Sequence, residues 1–221
     1  ILPFEADWWS ERGMSAHYCG NPIADDTPSH PSDPSGPVAL VPGSRRAELT
    51  HVAPLLAATA RLLLAEDSEL QFTVPVAPTL ERSAVEQAFQ GLPVRFVQTM
   101  ADAVVGASAA LVCNGTAGLE VALVGTPHVI TYRTGRTHWA IGRTLVRLDV
   151  TAPANLVLTR AGEAQAWDEI FQSQATPQRL ARETSRLRRD AARRATQFEA
   201  SKRLRQLLDG GVGVRAVAEA W

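Results

Sequence analysis

Two short stretches carry residues whose types and order can do chemistry. One is Gly43-Ser44-Arg45; the other is Asn114-Gly115-Thr116, with Ala117 and Glu120 just behind it. The first sets a hydroxyl and a guanidinium on a flexible turn, and arginine suits bidentate contact with phosphate oxygens. The second stands between a short apolar run and a stretch of helical spacing. A strand that passes through a glycine turn into a helix gathers free backbone N–H groups at one point and adds the positive end of the helix dipole. Such a point is an anion site, and phosphate is its usual occupant. Glu120 lies about one turn into the helix, where a carboxylate can accept hydrogen bonds from a sugar diol. Two turns of this kind on neighbouring strands can grip a diphosphate, with Glu120 on the ribose of a nucleotide. Glu48, three residues after Arg45, reads as a salt-bridge or capping partner rather than a catalyst.

Other phosphate chemistries are not supported. The chain has neither a Walker lysine nor a G-x-G-x-x-G run, and no Asp-x-Asp or histidine cluster of metal-binding type. No metal and no cofactor are expected. A metal-independent site needs a protein cation to stabilise a leaving diphosphate, and Arg45 is the candidate. Asp25, Asp26 and Asp102 read as loop or surface carboxylates, so the catalytic base stays unassigned.

The elements that must position these residues follow from the apolar spacing. Residues 37–41, 70–76, 94–97, 109–113 and 128–132 read as strands. Between them, helices are predicted over 47–66, 79–90, 100–105 and 116–124, with a further helix over 137–148. Residues 152–162 read as irregular. Strands alternating with helices over about a hundred residues, without hairpin signals, imply a parallel sheet covered on both faces. Both glycine turns fall at strand carboxyl ends, where ligands bind in such sheets. The fold class is therefore α/β, a Rossmann-like parallel sheet with helices on both faces, plus a long C-terminal helix. Three regions are expected: a connector with a Pro/Ser loop over 1–36, the Rossmann-like domain over 37–175, and a helical segment over 176–221. Within the connector, 1–5 reads as extended, 7–13 as a short helix and 15–19 as a strand. Trp8 and Trp9 read as core or domain-interface residues.

Residues 177–208 read as one long helix. Leu180, Thr184, Leu187, Ala191, Ala195 and Phe198 make its inner face; Arg182, Arg186, Arg189 and Arg193 line the other. From Arg179 to Arg205 there are ten basic and three acidic residues. Such a face is either a solvated surface or a contact for an anionic membrane surface. Nucleic acid is not expected, because no aromatic residues are interleaved. The last twelve residues read as a loose turn and a short helix. The net charge of −1 gives no global pull toward nucleic acid or lipid. No apolar run approaches the roughly 20 residues of a spanning helix. Arginine outnumbers lysine 21 to one, the lysine being Lys202, which reads as codon bias. Cys19 and Cys113 read as buried free thiols of a reducing, cytosolic compartment. The chain begins with Ile1, as if picked up in mid-course, and a missing N-terminal half is expected.

Several longer runs then make a resemblance specific. These are LPFE at Leu2–Glu5, YCGNP at Tyr18–Pro22, VPGSRRAEL at Val41–Leu49, NGTAGLEVALVGTPHVITYR at Asn114–Arg133, PANL at Pro153–Leu156 and EIFQSQATP at Glu169–Pro177. In order and spacing they resemble the carboxyl-terminal half of lipid-A-disaccharide synthase. The resemblance implies the C-terminal domain of a GT-B fold, and an inverting hexosyltransferase of bacterial lipid A and outer membrane biogenesis. It implies transfer of diacylglucosamine from UDP-2,3-diacylglucosamine to 2,3-diacylglucosamine 1-phosphate, releasing UDP. It also implies a cytoplasmic protein peripheral to the inner membrane, with a UDP-diacylglucosamine donor, a lipid acceptor and self-association as expected partners. By position, Ser44 and Arg45 would meet the diphosphate, Gly115, Thr116 and Ala117 would cradle it, Glu120 would hold the ribose, and Asn155 would match the polar residue of the family's P-N-L segment; Gly43, Asn114 and Asn155 complete the expected UDP-binding set. Three departures stand out: Asn21 replaces the usual His before Pro22, Asn114 the usual Ser before Gly115, and no Ala-Gly follows Asn155. The alternatives are another GT-B UDP-N-acetylglucosamine transferase or epimerase, and a truncated, non-catalytic UDP-sugar-binding module.

Overall fold

The computed structural model describes residues 2–135 and 150–209. In chain order the elements are α1 (Pro3–Ser10), α2 (Pro22–Asp26), β1 (Val38–Val41), α3 (Arg46–Glu66), β2 (Phe72–Pro75), α4 (Arg82–Ala88), β3 (Val94–Val97) and α5 (Met100–Val104). They continue with β4 (Ala109–Cys113), α6 (Thr116–Val124), β5 (His128–Tyr132), α7 (Pro153–Arg160), β6 (Asp168–Phe171), α8 (Pro177–Arg189) and α9 (Ala191–Leu208).

The six strands form one parallel sheet in the order β3-β2-β1-β4-β5-β6. Central parallel strands are covered on both faces and so read as unbroken apolar runs; all four residues of β1 and all five of β4 are buried. Successive side chains point to opposite faces. Val38 and Leu40 join a core closed by α3, α4 and α8, through residues such as Leu56, Val85 and Leu180. Ala39 and Val41 join the opposite core, closed by α5 and α6 through Val104 and Val121. That second layer continues under α7 and α9, where Leu123, Trp167 and Leu204 meet. Each large aliphatic side chain buried in this way contributes roughly 1.5–3 kcal/mol. α3 is long and apolar enough to cross a bilayer by composition, but its apolar stripe is buried on the sheet.

The strands and the helix starts beside the glycine turns lie close to their expected places. Several other elements differ. The long C-terminal helix is two helices, α8 and α9, divided at Asp190. Asp190 closes α8, and its carboxylate accepts from Arg193 N–H at 2.9 Å to begin α9. The break lets α8 lie beside α3 while α9 crosses to the α6 side. It also rotates the buried face: Ala191 and Ala195 are exposed, and Gln197, Ser201, Leu204 and Leu208 are the buried positions of α9. Much of the basic face is engaged within the fold. Arg188 pairs with Asp67, Arg189 with Glu66, and Arg193 with both Asp168 and Glu183. Arg205 donates to the carbonyls of Ala24, Thr27 and Leu123.

Residues 153–160 form α7 rather than an irregular segment, because Pro153 sits at the first helical position and Ala154, Val157 and Leu158 bury one face. β6 extends the sheet beyond β5; its polar sequence DEIF has no strand signature of its own. α4 begins at Arg82, not at Thr79, whose hydroxyl is tied to the Ser44 carbonyl at 2.5 Å. Residues 3–5 are helical, with Pro3 at the first turn, and residues 15–19 form no strand. Trp8 and Trp9 are 46% and 42% exposed, outside the core. Cys113 is a buried free thiol, whereas Cys19 is only partly covered. The helix expected over 137–148 and the expected tail lie outside the described residues.

Candidate functional site

The strand order reverses direction between β1 and β4, and the loops leaving the carboxyl ends of these two strands diverge there. That switch point is where open parallel sheets bind ligands. Val41 pairs in register with Val112, so the two glycine turns leave adjacent strands within a residue or two of each other. Adjacent strands lie about 4.8 Å apart, so both turns face one space. It is a cleft of about 340 Å³. Gly43, Ser44, Arg45 and Glu48 form one wall; Asn114, Gly115, Thr116, Ala117 and Glu120 form another. The loops after β2 and β3 close the third side through Pro78 and Gln98. The volume is at the small end of the ligand-pocket range.

The first wall is built around Glu48. Its carboxylate is buried, and its Oε2 accepts from the N–H groups of Ser44 at 2.8 Å and Arg45 at 3.1 Å. Its Oε1 accepts from Arg45 Nη1 at 2.7 Å. A glutamate at the third helical position reaching back to the cap N–H is half of a capping box. Gly43 makes room for it: at φ +103 it occupies backbone space that L side chains avoid, and a Cβ there would stand 2.3 Å from Glu48 Oε2. Arg45 remains 78% exposed at the side chain. The carboxylate raises the guanidinium pKa further, so the cation is permanent. One of its five donors is engaged by Glu48, and the side chain lines the cleft.

The second wall works by backbone. Gly115 caps α6 at φ 138, ψ −154, a region open essentially to glycine alone. Among the described residues, no side chain caps the helix start. The Gly118 N–H donates to the Gly115 carbonyl at 3.1 Å; the Thr116 and Ala117 N–H groups before it have no acceptor within the helix, and both residues line the cleft with the positive end of the helix dipole behind them. Glu120, about a turn further on, is partly buried, and burial raises its pKa above the ordinary carboxylate value. Cys113 lines the floor, but burial pushes its thiol up to about 12, so it stays protonated and is no nucleophile. Among the described residues, no group of three or more His, Cys, Asp or Glu side chains could hold a metal ion.

Eight of the nine residues expected at the site thus come together in one cleft. Asn155 does not. It is fully buried on α7, where its amide donates to Trp167 O at 2.8 Å and Glu169 Oε1 at 2.8 Å, and its Oδ1 accepts from the N–H groups of Ala166 and Trp167. With every polar atom of the amide engaged, it anchors α7 to β6 and lies behind the cleft. Thr79 is a residue that sequence reasoning gave a different role: it ties the loop after β2 to the Ser44 loop. Its signal, a threonine after a proline, is that of an ordinary helix cap.

A six-stranded parallel sheet with a two-turn cleft at its switch point defines the class: a Rossmann-like domain of the GT-B fold. Solved structures agree at the level of fold. The calicheamicin glycosyltransferase matches 88% of this chain and 44% of its own, at 21% identity and a TM-score of 0.51. An S. aureus TarM mutant, crystallised with UDP among its ligands, matches 94% of this chain and 38% of its own, at 12% identity and a TM-score of 0.51. The family model for lipid-A-disaccharide synthetase matches residues 1–213, and the chain belongs to that family. Its relatives include the lipid-A-disaccharide synthases of Anaeromyxobacter dehalogenans strain 2CP-1, 37% identical over 99% of this chain, and Myxococcus xanthus, 34% identical over 98%. The chain spans about 60% of the length of these relatives.

Proposed function

We propose that this chain is the donor-binding part of a lipid-A-disaccharide-forming glycosyltransferase. The observation that carries the reading is the joining of two unlike anion contacts across one cleft: the Arg45 guanidinium on one wall and the bare N-terminus of α6 on the other. Family membership supplies the substrate class. In the reaction, a hydroxyl of 2,3-diacylglucosamine 1-phosphate attacks the anomeric carbon of UDP-2,3-diacylglucosamine. The bond from that carbon to the diphosphate oxygen breaks, and UDP leaves with the electron pair. The hydroxyl proton passes to a base to which no residue of this chain is assigned. The chain's own contribution is to bind the donor and to stabilise the charge that develops on the leaving diphosphate. Preorganised N–H groups and a fixed cation suit that task, since they need no reorganisation as the charge grows.

Glu120 would accept from the ribose hydroxyls, and Ser44 would add a hydroxyl to the phosphate contacts. A peripheral place at the cytoplasmic side of the inner membrane fits the acylated substrates. Exposed Arg182 and Arg186 on α8 are the basic side chains best placed to meet anionic headgroups. Self-association is a further part of the reading. Isothermal titration of the folded chain with UDP tests its centre. Saturable binding is expected, and the absence of heat or competition at millimolar UDP overturns it.

A further inference from the structure

Asn114 stands at the end of β4, and its amide is held from behind by a chain of side chains that does not itself reach the cleft. Glu169 on β6 is the base of that chain. Its Oε2 accepts from Thr151 N–H at 3.0 Å, from the Thr151 hydroxyl at 3.0 Å and from Ala152 N–H at 3.3 Å. Its Oε1 accepts from Asn155 Nδ2 at 2.8 Å. The Thr151 hydroxyl gives its single proton to Glu169 and offers a lone pair outward. Asn114 must then turn its Nδ2 donor toward Thr151 Oγ1, at 3.3 Å. The orientation of the amide is fixed by this sequence of donors.

What remains is Asn114 Oδ1. It is buried, and it has no hydrogen-bond partner among the described residues. A buried carbonyl oxygen without a donor is uncommon in a folded protein. Three other buried side-chain atoms share this state, on His128, Gln172 and Arg188, and none of those residues lines the cleft; Asn114 does. Along the chain, Asn114 precedes the Gly115–Ala117 N–H groups and Glu120 follows them. With diphosphate on those N–H groups and ribose at Glu120, the group on the far side of the diphosphate falls toward Asn114.

We infer that Asn114 Oδ1 accepts an N–H or O–H from the hexosamine of the bound nucleotide sugar. Asn114 is a specificity residue, and Thr151, Glu169 and Asn155 are positioning residues that aim it. A 2-acylamino sugar carries both an amide N–H and ring hydroxyls, the donors that this oxygen lacks. The inference rests on the UDP-sugar reading of the cleft and names the part of the ligand that meets Asn114.

Isothermal titration of the 221-residue chain with UDP and with UDP-N-acetylglucosamine tests it. Asn114→Ala, which removes the acceptor altogether, should weaken UDP-N-acetylglucosamine roughly tenfold and leave UDP within about twofold, the loss expected for one buried hydrogen bond to the sugar. Thr151→Val should reproduce that sugar-specific loss, because the amide is no longer aimed; if this variant does not fold, Asn114→Ala decides alone. Equal losses for the two ligands, or no loss in either, overturn the role of Asn114 while leaving UDP binding intact. A wild-type chain that binds neither ligand overturns the UDP-sugar reading and this inference together.

Discussion

The loop after β1 and the turn after β4 are both glycine turns at strand ends, yet they offer a ligand opposite things. In the first, Glu48 has already taken the N–H groups of Ser44 and Arg45, so the backbone is closed and only side chains face the cleft. In the second, no side chain among the described residues caps the helix, so the Thr116 and Ala117 N–H groups at its start are open. One wall carries a full charge on a side chain held at its root; the other carries partial charges on a rigid frame. A diphosphate leaving group has charge to spread over both. The difference teaches that a glycine turn before a helix is an anion site only where its N–H groups are left without an internal acceptor.

The comparison can be broken most severely at the open turn. Gly115→Val forces a β-branched residue into φ 138, a conformation that costs of order 1–3 kcal/mol for a non-glycine. UDP affinity should fall about a hundredfold as the N–H groups turn away, and thermal melting should show the strain. At the closed turn, Glu48→Ala strips the internal acceptor from a buried position. Two N–H groups lose their partner, and stability should fall by about 2 kcal/mol in chemical denaturation. UDP affinity should fall as well, since Arg45 is no longer held. A Glu48→Ala chain that binds UDP more tightly would show that the closed backbone was competing with the ligand.

Acid separates the cleft from the core. His128 is fully buried, stacked on Trp167 with ring centroids 5.3 Å apart, and its Nδ1 lies 2.9 Å from the Thr126 carbonyl. Burial pushes its pKa down to about 4 from 6.5. The unfolded chain therefore binds this proton first. The stability that the neutral ring contributes is complete above about pH 6.5 and is lost as pH falls toward about 4, by up to about 3 kcal/mol. His128→Asn should flatten that slope in denaturation curves across the same window. The smallest effect belongs to Glu120. Glu120→Gln should weaken UDP and uridine alike, by about fivefold, because the ribose is common to both. Its raised pKa also means that wild-type uridine affinity should begin to fall above the ordinary carboxylate range as pH drops.

Much of this arrangement was legible in the sequence, for reasons that differ by element. β1 and β4 are buried on both faces, so their apolar runs carry the signal unaided. Gly43 and Gly115 were conspicuous because each follows a strand and precedes a helix, and Glu48 because its spacing from Arg45 is that of a cap. β6 was not legible, since an edge strand four residues long needs only one core side chain, Ile170, to hold it. The division at Asp190 was hidden because an aspartate can end one helix and cap the next without glycine or proline. Asn155 was assigned to the ligand by family position alone. Its four buried hydrogen bonds depend on Trp167 and Glu169, residues that the fold brings beside it and that no local pattern announces.

The central claim is that Arg45 and the start of α6 hold a diphosphate between them, and calorimetric titration of UDP and uridine into the wild-type chain and Arg45→Ala tests it most directly. Arg45→Ala should weaken UDP by roughly tenfold while uridine affinity stays within about twofold, because the guanidinium touches phosphate and not nucleoside. Equal losses for the two ligands, or UDP binding indifferent to Arg45, would contradict the account.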